Sequence, residues 1–233
     1  MNKVVEYIVN GESSLEGVVH IHKVPVIAKI KPLSVSLRHT SKQIAKLIPS
    51  IFFVGLKKIV ITDLASSYED NPFNAFYSNK VIYVSYKLES DEDFIDDVIH
   101  ELAHHVEKYF QKIIYGDGKI KEEFEKKREK LFIELKSYGM QPPPQLQFKI
   151  GYDAKIDTYL YKEVGYEKLF NFTNGLFLTP YSATSLREYF AISFEKYFLK
   201  PEYEAHRYIK KISPRVYNKI LEIKENTNET TKT

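Results

Sequence analysis

The chain has 233 residues, and 43% of them are hydrophobic, which is enough for one sizeable core. Its 34 basic and 31 acidic residues give a net charge of only +3, so composition does not indicate a nucleic-acid-binding protein. Cysteine is absent, which excludes disulfides and thiolate metal sites. Any zinc must therefore be held by histidine and carboxylate side chains.

No export or membrane segment is predicted. Residues 1–7 lack the basic region and long apolar run of a signal peptide. No stretch approaches the ~18 consecutive apolar residues that a membrane helix needs. We therefore expect a cytoplasmic protein without a membrane partner, and secretion by another route stays open.

Short strands or a hairpin are predicted near the N-terminus. Residues 4–9 and 17–30 are β-branched and apolar, and Asn10-Gly11 between them is a turn signal. His20 and His22 would share one face of a strand. Because no carboxylate lies near them in the sequence, we favour surface or packing positions over a metal site.

The next segments predict a helix and two strands. Helical spacing runs over residues 36–48, and strands are predicted at 56–63 and 79–86. A strand beside an active-site helix can pair with an extended substrate peptide if it forms a sheet edge, although an interior strand fits the pattern as well. The residues of this candidate edge strand are Val81, Ile82, Tyr83 and Val84.

A buried helix of about five turns is predicted after these strands. Ser90 is a good cap residue, and acidic side chains follow at residues 91–93. Apolar residues then recur at helical spacing as far as Phe110, and the Gly-Asp-Gly sequence at 116–118 supplies a break.

This helix contains the motif His100-Glu101-Leu102-Ala103-His104. Histidines four residues apart lie on one helix face, where both imidazoles can bind one metal ion. Glu101 then lies where it can take a proton from a water that the metal activates. A chance match is expected in roughly a few per cent of chains with this histidine content. The capped, apolar flanks favour the metal site over a chance match on a solvated helix.

A catalytic zinc site commonly uses three protein ligands and one water. His105 follows His104 directly but lies about 100° further around the helix, so we expect it to miss the metal. Glu188 is the best candidate for the third ligand. It also has capping-box spacing from Ser185, and from the residues alone the two roles are equally supported.

The second half of the chain is predicted to be mainly helical. A charged helix over residues 119–138 ends at Gly139, and three prolines at 142–144 favour a stiff extended linker. Further helices are predicted within 154–170, over 184–199 and over 214–223, and a polar, disordered tail is predicted over 224–233.

A tyrosine and the candidate ligand Glu188 occur at a spacing that is informative. Tyr181 lies seven residues before Glu188, since 188 − 181 = 7, and Glu188 opens the sequence Glu-Tyr-Phe-Ala. With the His100–His104 motif, this pattern resembles the peptidase domain of anthrax lethal factor and its relatives, which include bacterial Pro-Pro endopeptidases. The resemblance covers about residues 91–110 and 176–200.

The resemblance implies a gluzincin-type, zincin-like metallopeptidase. It implies that His100, His104 and Glu188 hold one zinc ion, that Glu101 is the general base, and that Tyr181 stabilises the oxyanion. The fold implied is α+β, with a small mixed sheet, an edge strand beside the active-site helix, and a mainly helical C-terminal half.

Two departures from the family pattern stand out. The gap between His104 and Glu188 is 188 − 104 = 84 positions, so residues 115–150 resemble an insertion that would cover the cleft, gate it or contact a partner. The family also tends to carry an acid one turn after the zinc glutamate, where this chain has Ile192. Glu195 is the alternative for that supporting position.

We therefore expect one peptidase domain over residues 1–223, with an N-terminal extension over about 1–50. The expected activity is zinc-dependent hydrolysis of a protein or peptide substrate, with no nucleic-acid partner. The alternative is a zincin-like scaffold that binds an extended peptide without cleaving it. The intact Glu101 and Tyr181 favour the enzyme, since a scaffold has no need of either.

Overall fold

The computed structural model describes residues 18–32, 34–64, 74–200 and 202–230. The chain divides into two compact units, an N-terminal unit up to His105 and a C-terminal unit from Val106. The fold is mixed α/β, with a small five-stranded mixed sheet and a mostly helical C-terminal half, as predicted. The single domain over 1–223 stays a prediction. None of the described helices is both long and apolar enough to span a membrane.

The N-terminal unit is built on a sheet with the strand order β1-β2-β3-β5-β4. The two central pairs, β2 with β3 and β3 with β5, are parallel, and the two outer pairs are antiparallel. The strands are β1 (Val19–Ile21), β2 (Val24–Ala28), β3 (Lys58–Thr62), β4 (Ala75–Ser78) and β5 (Val81–Ser85).

Residues 17–30 contain a complete hairpin, β1–β2, which turns at His22-Lys23. The prediction that His20 and His22 share one strand face was therefore wrong, because His22 lies in the turn. Its Nε2 atom is 2.8 Å from the carbonyl oxygen of Ile48, and its ring packs against Phe53. This is the packing role that the sequence favoured. The predicted strand at 4–9 and its turn at Asn10-Gly11 lie outside the described residues.

Strand β5 is an interior strand. Hydrogen-bonded partners flank it on both sides, β3 in parallel and β4 antiparallel, and all five of its residues are buried. The prediction that Val81, Ile82, Tyr83 and Val84 form a substrate-binding edge was therefore wrong. The outer strand on this side of the sheet is β4, which is the last of the described strands in the sheet order. The sequence did not predict this short strand.

Two long helices belong wholly or partly to the N-terminal unit. Helix α1 (Leu37–Leu47) supplies the crossover that the parallel β2–β3 pair requires. Helix α2 (Asp91–Tyr109) carries the motif of residues 100–104 and has the predicted five turns. Asp91, in the first turn of α2, accepts a hydrogen bond from the amide of Ser36 at 2.7 Å, which ties the start of α2 to the start of α1.

The described part of the C-terminal unit contains helices joined by loops, and no strand. Its helices are α3 (Gln111–Tyr115), α4 (Lys119–Ser137), α5 (Gln145–Phe148), α6 (Ala154–Thr158), a π-helix (Tyr159–Gly165), α7 (Tyr166–Thr173), a 3₁₀ helix (Pro180–Ala183), α8 (Leu186–Leu199), α9 (Tyr203–Ile212) and α10 (Pro214–Thr230). Helix α9 was not predicted. Helix α8 is buried on nearly every face and forms the centre of this unit.

Two local predictions for this unit need correction. The tail predicted over 224–233 is helical as far as Thr230, because no glycine or proline interrupts α10 after Pro214. Residues 231–233 lie outside the described part. The proline segment is not extended throughout: Pro144 has helical angles (φ −53°, ψ −31°) and is the N-cap residue of α5.

Candidate metal centre

The motif on helix α2 brings two imidazoles and a carboxylate together. Ligand atoms of His100, Glu101 and His104 all lie within 4.8 Å of one another. The two imidazole rings are 5.0 Å apart between centroids and nearly perpendicular, at 88°. This arrangement follows from helix geometry, since residues four apart lie on one face.

The chemistry of these donors fits a metal ion. Imidazole nitrogen and carboxylate oxygen are both zinc ligands, and the chain has no thiolate to compete with them. His104 is buried, while His100 and Glu101 are half-buried, so the group lies on a partly sheltered helix surface. This group can therefore hold a metal ion.

His105 is directed elsewhere, as predicted from the helix angle. Its Nε2 atom is 3.0 Å from the carbonyl oxygen of Val54, and its Nδ1 atom is 3.1 Å from the hydroxyl of Tyr77. Because the carbonyl only accepts, Nε2–H donates to Val54, and in the neutral ring Nδ1 accepts from Tyr77. Burial lowers the pKa of His105 and so favours this neutral form. Both nitrogens are thus used to anchor α2 within the N-terminal unit.

Asp97 lies one turn before Glu101 and was missed by sequence reasoning. Its Oδ2 atom is buried without a hydrogen-bond partner in the described part of the chain. Burial, followed by repulsion from Glu101, raises the pKa of Asp97 to about 7. A cation held by the neighbouring imidazoles would offset this repulsion, so the acidic surroundings suit a metal site.

Tyr181 belongs to the C-terminal unit, on the 3₁₀ helix. Its side chain is 47% exposed, but its backbone is well fixed. The hydroxyl of Thr184 donates a hydrogen bond to the Tyr181 carbonyl at 2.8 Å, and Thr179 and Ser182 form a capping box around the same turn. The turn that carries Tyr181 is thus fixed by hydrogen bonds, while its side chain is partly exposed.

Glu188 lies in the first turn of α8, also in the C-terminal unit. The hydroxyl of Ser185 accepts a hydrogen bond from the amide of Glu188 at 3.2 Å, so Ser185 caps the helix as its spacing from Glu188 suggested. This bond uses the backbone of Glu188 and leaves the role of its carboxylate open. The assignments of Glu188 as third zinc ligand and of Tyr181 as oxyanion donor stay predictions.

Glu107 is a buried acid that sequence reasoning overlooked, although it follows His104 by less than one helical turn. It is 8% exposed and accepts hydrogen bonds from Tyr115 Oη at 2.8 Å and from Arg187 Nε at 3.2 Å. Arg187 is the residue before Glu188, so Glu107 helps to fix the start of α8. Glu195, the predicted supporting acid, pairs with Lys196 at 2.7 Å, and its role stays a prediction.

Comparison with known proteins gives no match to a family model, a curated protein or a solved structure. The similarity to lethal-factor-like peptidases therefore rests on the motif residues quoted above.

Proposed function

We propose that this protein is a zinc-dependent endopeptidase. The observation that carries the proposal is the cluster of His100, Glu101 and His104 on one face of α2, with all ligand atoms within 4.8 Å. Asp97 adds support, since its pKa is raised first by burial and then by repulsion from Glu101, and a nearby cation would offset that repulsion. The proposed substrate is a protein or peptide.

In this proposal, His100 and His104 hold one zinc ion, and Glu188 is the predicted third protein ligand. Zinc, when bound, acts as a Lewis acid: it makes water acidic near neutral pH and polarises a carbonyl oxygen. These ligands contain only nitrogen and oxygen donors, in keeping with the absence of cysteine.

The remaining steps belong to the protein's own side chains. Glu101 accepts a proton from the water that attacks the scissile carbonyl, and it passes that proton to the leaving amine as the C–N bond breaks. Tyr181 donates a hydrogen bond to the oxyanion that develops on the carbonyl oxygen. Support for this role comes from its exposed side chain and fixed backbone.

The deciding experiment compares the wild-type protein with Glu101→Gln on a peptide library, with the zinc content of each measured. We expect cleavage by the wild type and none by Glu101→Gln, with zinc retained in both, since His100 and His104 are unchanged. Tyr181→Phe should lower kcat by roughly a hundredfold or more, as removal of an oxyanion donor does. Tyr161→Phe, which alters another exposed tyrosine of the same unit, is the matched control and should keep full activity.

The second candidate is a scaffold that binds an extended peptide without cleaving it. One observation favours it: β4 ends the described sheet, and strand addition requires such an outer strand. If the wild type and Glu101→Gln both contain zinc, bind the same peptides and cleave none, the peptidase proposal fails and the scaffold is supported.

A further inference from the structure

Helix α4 is highly charged, yet it directs three polar side chains into the interior of the C-terminal unit. These side chains, Glu123, Lys127 and Arg128, all bind the chain between residues 146 and 189. We call this set the α4 clamp. Glu123 and Lys127 lie four residues apart and share one helix face, whereas Arg128 lies about 100° further around the helix and reaches a different part of the same chain segment.

Arg128 makes the most extensive contacts of the clamp. Its side chain is 1% exposed, its Nε donates to the carbonyl of Leu146 at 2.6 Å, and its Nη1 donates to the carbonyls of Ala183 and Thr184 at 2.9 and 3.3 Å. The last two carbonyls lie at the end of the 3₁₀ helix that carries Tyr181. The final carbonyls of a helix lack partners within it, and a cation there supplies them.

The burial of this guanidinium is costly. Desolvation lowers the pKa of Arg128 to about 10, with only partial compensation from Asp153. The hydrogen bonds that Arg128 donates to Leu146, Ala183 and Thr184 go to backbone carbonyls, and these carbonyls lie 18 to 56 residues further along the chain. Charge-assisted bonds to fixed carbonyls hold a backbone in one geometry, because the guanidinium fork is planar and rigid.

Lys127 and Glu123 bind the two ends of the segment formed by residues 176–189. Lys127 Nζ donates to the carbonyl of Leu176 at 2.6 Å and lies 5.9 Å from the ring centres of both Phe177 and Tyr189. Glu123 accepts a hydrogen bond from the hydroxyl of Tyr189 at 2.7 Å. The α4 clamp therefore binds residues 176–189 at three places: at the first residue, two to three residues after Tyr181, and one residue after Glu188.

We propose that Lys127 and Arg128 are positioning residues of the candidate active site. They fix the backbone of residues 176–189 and thereby the placement of Tyr181 and Glu188. This inference rests on the proposed function for the catalytic significance of those two residues. It also gives the region that resembled an insertion, 115–150, a definite part in the site.

The test compares Lys127→Met with Lys126→Met. Lys126 is the neighbouring residue, with an exposed side chain that pairs with Glu122 across one helical turn, so the control makes the same chemical change outside the clamp. Arg128→Lys is the second test variant, since it keeps the positive charge but replaces the planar guanidinium by a single ammonium group, which cannot reach all three carbonyls in the same geometry. Three readouts are needed: amide hydrogen exchange, zinc affinity by chelator competition, and kcat with KM.

In Lys127→Met and Arg128→Lys, we expect the amides of Ser182, Thr184 and Glu188 to exchange about tenfold faster or more, while exchange in α10 is unchanged. Loss of support around a site typically costs about 10- to 100-fold in metal affinity or activity. We therefore expect kcat or zinc affinity to fall by about that factor, with KM within about twofold of the wild type. Lys126→Met should match the wild type in all three readouts.

Wild-type exchange at these amides, or faster exchange spread evenly over the whole C-terminal unit, would overturn the positioning role. A local exchange response together with wild-type kcat and zinc affinity would also overturn it, because the segment would then move without consequence for the site. If the wild type itself shows no zinc-dependent hydrolysis, the proposed function fails; in that case a local exchange response still supports the clamp as the device that orders this segment.

Discussion

His104 and His105 show how a difference of one residue decides a side chain's role. One helix position rotates the side chain by about 100°. His104 belongs to the group that could hold a metal ion, whereas the two ring nitrogens of His105 bind Tyr77 and Val54. Helix geometry alone predicted this division. It could not predict which groups His105 would bind, because those partners lie 28 and 51 residues away in the sequence.

Glu123 gives the C-terminal unit a pH-dependent stability. Burial raises the pKa of Glu123, although the hydroxyl of Tyr189, the charges of Lys127 and Arg215, and the Arg215 amide partly offset the effect. An unfolded glutamate has a pKa of about 4.3. Above that pH the unfolded chain has lost a proton that the folded chain still holds, so stability falls with rising pH until folded Glu123 has also ionised.

We therefore predict that Glu123→Gln gains stability relative to the wild type as pH rises above about 4.3. Glutamine cannot ionise, and its amide oxygen still accepts from Tyr189. Urea unfolding between pH 4 and pH 8 measures the difference. Glu129→Gln, on the exposed face of the same helix, controls for the change in net charge. A constant difference between wild type and Glu123→Gln across this range would contradict the prediction.

Helix α2 was predictable because its signals are local. The cap at Ser90, the three acids that follow it and the apolar spacing all lie within the helix, and the amide of Asp93 donates to the Ser90 hydroxyl at 3.1 Å. The sheet was less predictable. Whether β5 is an edge or an interior strand depends on β3 and β4, and strand order is not encoded in the alternation of a single strand.

Helix α4 illustrates a second limit of local patterns. Its charged sequence indicated a solvated helix, and its bounds, Lys119–Ser137, agree closely with the prediction. Nothing local distinguishes buried Arg128 from the exposed basic residues around it. Its partners Leu146, Ala183 and Thr184 are 18 to 56 residues away, so its role emerges only when the chain is folded.

The β4–β5 hairpin turns through Asn79 and Lys80, both with positive φ, at 50° and 65°. A two-residue turn of this type favours Asn-Gly, because lysine is strained in the left-handed region. We predict that Lys80→Gly raises the free energy of unfolding by about 0.5–1 kcal/mol. Chemical denaturation measures this change. Lys58→Gly, the same substitution inside β3, should instead lower stability; a loss of stability in both variants would contradict the prediction.

At the scale of the whole molecule, the proposed metal site predicts that zinc stabilises the folded chain. The unfolded chain does not hold His100 and His104 together, so zinc binds the folded form preferentially. At a free zinc concentration of 100 times Kd, stabilisation should be about 2.7 kcal/mol, with a matching rise in Tm. His104→Ala should lose this response, whereas His39→Ala, which alters an exposed histidine bonded to Gln43, should keep it. An equal response in both variants would place the metal elsewhere.

The strands of the sheet precede the candidate metal-binding motif in the sequence and are therefore synthesised before it. All five described strands end by Ser85, and the metal-binding motif begins at His100. Domains generally fold as units during synthesis, starting from the N-terminus. The five described strands are therefore synthesised before the first histidine of the motif. None of the paired strand residues is a proposed metal ligand, so the sheet can form without zinc, and the proposed zinc ion could bind after the sheet has folded.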